Sequence, residues 1–157
     1  MGEGARLNIE NIKWIQVSTH ADERGSLSAI ESNAAIPFEI KRIFYMHHIV
    51  IGADRGGHAH LETDQFAIAL HGSVRVRVSD GINSKVFFLN SPSWGIYLPK
   101  LTWTDLYDFS DEAVCLVLAS THYDRSKSLR TWEEFLKARN LKNLSLPDRG
   151  AADVRHP

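Results

Sequence analysis

Two histidines one residue apart, His58 and His60, stand in the stretch Gly52 to Gly72, GADRGGHAHLETDQFAIALHG, directly behind Arg55-Gly56-Gly57. In a β-strand successive side chains alternate between faces, so the two imidazoles point to the same side. An imidazole changes charge close to neutral pH and is also a common metal ligand. Such a pair therefore suits either proton transfer or one half of a metal site, and the rest of the chain must decide between them.

The elements that position this pair are short strands. Asn8 to Val17 and Gly25 to Ile30 carry strand-like apolar clusters around an Asp22-Glu23-Arg24-Gly25 turn. Phe38 to Ile51, rich in β-branched and aromatic residues, reads as one long strand with Arg42, Phe44 and Met46 on one face. After the His58–His60 strand come Gln65 to Leu70 and then Ser73 to Ser79, whose Val74, Val76 and Val78 alternate with Arg75 and Arg77. Asp80-Gly81 is a hairpin signal before Lys85 to Leu89. Gly95 to Leu98, Trp103 to Phe109 and Ala113 to Ser120 complete the series. Closely spaced short strands with little helix between them predict an all-β sandwich or barrel. Thr131-Trp132-Glu133-Glu134 is a capping box, and a short amphipathic helix is expected to run on to Arg139. The expected organisation is a single domain over 1–140 and a polar, poorly ordered tail over 141–157.

Composition narrows the class. The chain has 157 residues, 43% of them apolar, with 18 basic against 19 acidic side chains. That is one ordinary domain, and its near-zero net charge gives no reason to expect nucleic acid or an anionic membrane as partner. No apolar run reaches the length of a membrane span, and MGEGARLNIE has no apolar signal-peptide core. Arg6 also stands where a myristoylation signal has Ser or Thr. A cytoplasmic location is the expectation. Cys115, the only cysteine, lies in the apolar run AVCLVLAS and reads as a buried hydrophobe rather than a nucleophile.

The spacing G-x5-H-x-H-x4-Q-x6-G, formed by Gly52, His58, His60, Gln65 and Gly72, resembles the first motif of the cupins, which has Glu where this chain has Gln65. The second cupin motif supplies a further His after a Pro-x-Gly turn; here the run GIYLPKLTWTDL keeps Pro99 but has Leu101 in the Gly place and Thr104 in the His place. The resemblance implies a cupin jelly-roll β-barrel with a short C-terminal helix. A cupin metal site uses three imidazoles and a carboxylate, and a neutral amide and a hydroxyl are poor substitutes. No metal and no other cofactor is expected, and acid–base chemistry by His58 and His60 is the favoured reading over two structural histidines.

Several further blocks, in order, are similar to one cupin group, the sugar-nucleotide 3,4-ketoisomerases acting on dTDP-4-keto-6-deoxyglucose. They are Asp22 to Leu27, Ile36 to Arg42, Arg55 to His60, Ser91-Pro92, Gly95-Ile96-Tyr97, Tyr107 to Ser110, Val117 to Ser120 and Tyr123-Asp124. The resemblance implies a carbonyl moved from C4 to C3 through an enediolate, a dTDP-linked 4-keto-6-deoxy sugar as ligand, and a homodimer, to which an edge strand over Asn8 to Val17 is suited. It places His58 and His60 in the active site. Histidine suits both proton removal and return because its ordinary pKa of about 6.5 lies near working pH. Arg42, Gln65 and Thr104 are candidates to steady the enediolate, Arg24 and Arg55 to hold the diphosphate, and Trp103 and Tyr97 to stack on base or sugar. Asp105 is a candidate to orient an imidazole. Two departures bear on the stereochemical outcome at C4: Phe44 where the family often has Tyr, and Thr104-Asp105 where it commonly has Arg or His followed by Glu. The competing readings are a 3,5-epimerase-like cupin, a non-catalytic dTDP-sugar-binding protein and a metal-dependent dioxygenase.

Overall fold

In the computed structural model, residues 8–146 and 148–157 are described; the first seven residues, part of the stretch read for targeting signals, lie outside them. Two sheets, antiparallel except at the β13 edge, face each other. The five-stranded sheet has the order β1 (Lys13–Gln16), β9 (Trp94–Leu98), β6 (Gln65–His71), β11 (Val114–Ala119), β4 (Arg42–Met46). The six-stranded sheet runs β12 (Ser128–Leu129), β5 (Arg55–His60), β10 (Trp103–Tyr107), β7 (Val74–Ser79), β8 (Ser84–Leu89), β13 (Asp153–Val154). A separate hairpin joins β2 (Ser18–Asp22) to β3 (Gly25–Ala29), and one α-helix, α1 (Trp132–Ala138), closes the list. This is the cupin-type jelly-roll that the motif spacing implied.

The period-two patterning accounts for the layers. Val74, Val76 and Val78 of β7, Phe87 and Leu89 of β8 and Leu106 of β10 point inward against Met46, Ala67, Ala69, Cys115 and Val117 of the facing sheet. Fully burying side chains of this size stabilises the sandwich by about 1.5–3 kcal/mol each. Cys115 is among them, its thiol pushed up to about 12 by burial, as a packing residue should be. Outside the five-stranded sheet, Val17, Ile36, Phe38, Phe66, Ile68 and Leu118 form a second cluster; outside the other, Ala59 and Trp103 pack beneath Phe135 and Leu136 of α1. The predicted capping box is present: Thr131 Oγ1 accepts from Glu134 N at 3.2 Å, and Glu134 Oε2 accepts from Thr131 N and from Arg130 N.

Three expectations change. The first predicted strand begins instead as a 3-10 turn over Ile9–Asn11, because the Asn8 and Asn11 side chains bond each other's backbone and Asp80 Oδ2 accepts from Ile9 N. The long strand Phe38 to Ile51 shrinks to β4. Its alternation is as read, with Ile43 and Tyr45 outward, but His48 turns to a φ of 53° and the chain leaves the sheet. The tail does not hang free: β13 pairs in parallel with β8, and Arg75 clasps Asp153 through Nε and Nη2, each at 3.1 Å.

Candidate active site

The registers of β5 set the site. His58 lies opposite Thr104 of β10, and His60 opposite Ser128 of β12. Ala59 between them faces outward and is fully buried under α1, which forces both imidazoles to the inner face. Gly56 at φ 84° lets β5 lie close on β10; a Cβ there would sit 2.8 Å from the Thr104 carbonyl oxygen. The two rings meet edge to face, centroids 4.8 Å apart and planes at 81°.

His60 is held on both sides. Its Nε2 is 3.4 Å from the Gln65 amide nitrogen and its Nδ1 3.4 Å from Ser128 Oγ. With the Gln65 amide donating, the ring keeps its proton on Nδ1, facing the serine. Burial, reinforced by repulsion from His58, Arg42 and Arg130, pushes the His60 pKa down to about 4. Burial also lowers that of His58, with Arg130 adding to the effect and a hydrogen bond to the Gly56 backbone opposing it. Both imidazoles are therefore neutral at pH 7; the His58 ring, bonded on one side to the Gly56 backbone, keeps a lone pair free, whereas both His60 nitrogens are engaged.

The pair forms one wall of a cavity of about 540 Å3, roomy enough for a sugar ring. Phe44, Arg55, Gln65 and Thr104 line it with them, so four of the sequence-derived binding residues converge there. Arg42 lies in an adjoining hollow of about 320 Å3 that shares His60. Its guanidinium rests between the Phe44 and Tyr123 rings at 5.2 and 5.3 Å, with Nε buried and unbonded.

Four others are placed elsewhere. Trp103 and Asp105 flank Thr104 on β10 and alternate to the outer face. Trp103 packs against Trp132 and Phe135, and Asp105 takes bonds from Arg77 Nε at 2.8 Å and Nη2 at 3.1 Å. Asp105 thus orients no imidazole. Tyr97 packs on Phe38 and lines a separate, larger hollow with Trp14 and Pro99. Arg24 sits at the exposed tip of the β2–β3 hairpin, paired with Asp22 at 2.6 Å. Conversely, Ser128, Arg130 and Asp54 belong to the site although nothing in the motif spacing marks them. Arg130 and Asp54 line the main cavity, Ser128 touches His60, and β12 is only two residues long.

Among the described residues no three His, Cys, Asp or Glu side chains converge on one point. The Gln65 amide and the Thr104 hydroxyl, which line the cavity with the imidazoles, are a weak donor set for a transition metal.

Two facing sheets with a neutral histidine pair on an inner wall define a small cupin-type protein. The FdtA family, described as WxcM-like, C-terminal, matches residues 10–140. A TDP-4-oxo-6-deoxy-alpha-D-glucose-3,4-oxoisomerase of Aneurinibacillus thermoaerophilus is 41% identical over 125 residues, covering 80% of this chain and 90% of that protein. Among solved structures, the sugar 3,4-ketoisomerase QdtA of Thermoanaerobacterium thermosaccharolyticum, in complex with TDP, superposes with a TM-score of 0.81 at 35% identity, covering 84% of this chain and 96% of that one. The TDP-quinovose 3,4-ketoisomerase WlaRB of Campylobacter jejuni superposes with a TM-score of 0.79 at 40% identity, covering 82% and 99%. The chain belongs to the FdtA family of WxcM-like sugar 3,4-ketoisomerases.

Proposed function

We propose that this isomerase converts a dTDP-linked 4-keto-6-deoxyhexose to its 3-keto isomer, with His58 and His60 as the proton carriers. The observation that carries the assignment of roles is the pair of neutral imidazoles, edge to face, on one wall of a sugar-sized cavity.

The chemistry follows from that wall. A neutral imidazole takes the proton from C3, next to the C4 carbonyl, and the C3–H electrons form the C3=C4 double bond of an enediolate. The O3 proton passes to O4, and a proton delivered to C4 leaves a carbonyl at C3. Atoms and electrons balance within the sugar. His58 is the better candidate for direct abstraction: its hydrogen bond to the Gly56 backbone holds one side of the ring, whereas His60 has contacts at both nitrogens. At a separation of 4.8 Å the second ring is placed to relay the proton. Arg130 and Arg55, both lining the cavity, are the cations for enediolate charge and diphosphate. Phe44 and Thr104 leave the sugar's surroundings without a phenol or a charge at those two positions.

The test is incubation with dTDP-4-keto-6-deoxyglucose in deuterated water, followed by NMR. A 3-keto product labelled at C4 is expected; label confined to C3 and C5 would reassign the protein as an epimerase, and dTDP binding without turnover as a binding protein.

For quaternary structure the same reading favours a homodimer. The β1 strand lies at a sheet edge, and all ten strand residues of the β2–β3 hairpin are exposed, Leu27 among them. Arg24, at that hairpin's tip, keeps a phosphate-binding role if the hairpin reaches a neighbouring copy's cavity. Sedimentation of the pure protein as a monomer would remove both statements.

A further inference from the structure

The family match ends at residue 140, yet the segment beyond it returns to the site. Arg149 Nη2 lies 2.8 Å from Asp54 Oδ2 and 2.7 Å from Asp105 Oδ2, and its guanidinium covers the Tyr107 ring at 4.0 Å. One end of this bridge is fixed: Asp105 is buried on β10 and already clasped by Arg77. The other end is not: Asp54 is about half exposed, lies in the loop leading into β5, and lines the cavity beside Arg55. The tail itself is anchored further on, by the β13–β8 pairing, the Arg75–Asp153 clasp and the stacking of His156 on Trp94.

We infer that Arg149 is a positioning residue: the C-terminal extension ties the Asp54–Arg55 rim of the cavity to β10 and cancels the Asp54 charge where a diphosphate enters. An uncompensated carboxylate there would repel the substrate, and an untethered loop would leave Arg55 to be ordered on binding. The inference rests on the proposal that the cavity takes a dTDP-sugar. Because the Asp54 end is solvent-exposed, the effect belongs to the range of surface ion pairs, about three- to fivefold in binding.

The experiment compares the full-length chain with Arg149→Ala, Arg149→Lys, Asp54→Asn and the Arg149→Ala/Asp54→Asn double variant, reading kcat and KM with dTDP-4-keto-6-deoxyglucose and amide exchange of residues 53–57. Arg149→Ala is expected to raise KM about three- to fivefold with kcat within about twofold, and to speed exchange in that segment. Arg149→Lys should recover most of the loss, because the positive charge remains. Adding Asp54→Asn to Arg149→Ala should raise KM no further, as residues acting as one unit are non-additive. Unchanged KM and unchanged exchange in Arg149→Ala would overturn the inference, as would effects of the two substitutions that simply multiply. Exchange reads the tether without turnover, so a wild-type chain that leaves the sugar unconverted would sink the functional proposal and leave this one to stand or fall on the exchange data.

Discussion

Lowering the pH should unfold this protein sooner than an equivalent chain without His60. The His60 imidazole is ordinary in the unfolded chain, near 6.5, and pushed down to about 4 in the folded one. Because the folded-state value is depressed, the unfolded state binds the proton more tightly. The stability contribution is therefore complete above about pH 6.5 and is lost progressively as the pH falls toward 4. At 1.36 kcal/mol per pKa unit, the loss is about 2 kcal/mol by pH 5 and about 3 kcal/mol by pH 4. The assay is urea denaturation at several pH values for wild type and for His60→Asn, which keeps a polar group near Gln65 and Ser128 but does not titrate. Wild type should lose about 2 kcal/mol more than the variant between pH 7 and pH 5. Parallel stability curves for the two proteins would show that the ring is already charged or solvated in the folded state, and the neutral-base argument would fall with it.

Three further outcomes follow from the same geometry. Since both imidazoles are lowered and must be neutral to accept a proton, kcat/KM should stay flat below the usual histidine range and fall only as pH approaches the lowered values; an acid limb at 6.5 or above in a rate profile would contradict this. Arg130→Ala should cut kcat/KM by about tenfold or more through loss of a cavity cation, while raising the His58 and His60 pKa values observed by NMR. Phe135→Ala should cost about 3–5 kcal/mol in thermal or chemical unfolding, because Phe135 of α1 is fully buried against Trp103.

What could be read from the sequence was local. His58 and His60 share a face because a strand alternates, and the capping box at Thr131 is a four-residue signal. The same rule argues against grouping Trp103, Thr104 and Asp105 in one site, since three consecutive strand residues cannot all face one way; only Thr104 reaches the cavity. Ser128 and Arg130 escape local reading because a two-residue strand brings them to β5, a pairing without any pattern of its own. Glu134, placed by the capping box, also holds the Arg130 backbone, so a helix-start motif positions a site cation. The polar composition of the tail predicts a loose segment, but it is held by ion pairs from Arg75 and Arg149 to partners whose places depend on the whole fold.

The most direct measurement of the central claim is solvent isotope exchange at C3 of the bound 4-keto sugar in wild type, His58→Asn and His60→Asn, with dTDP affinity measured alongside. Proton transfer by the pair predicts exchange in wild type and its loss by orders of magnitude in at least His58→Asn, with dTDP affinity retained. Exchange at the wild-type rate in both variants would mean that another group takes the proton, and the histidine pair would be left with a structural role.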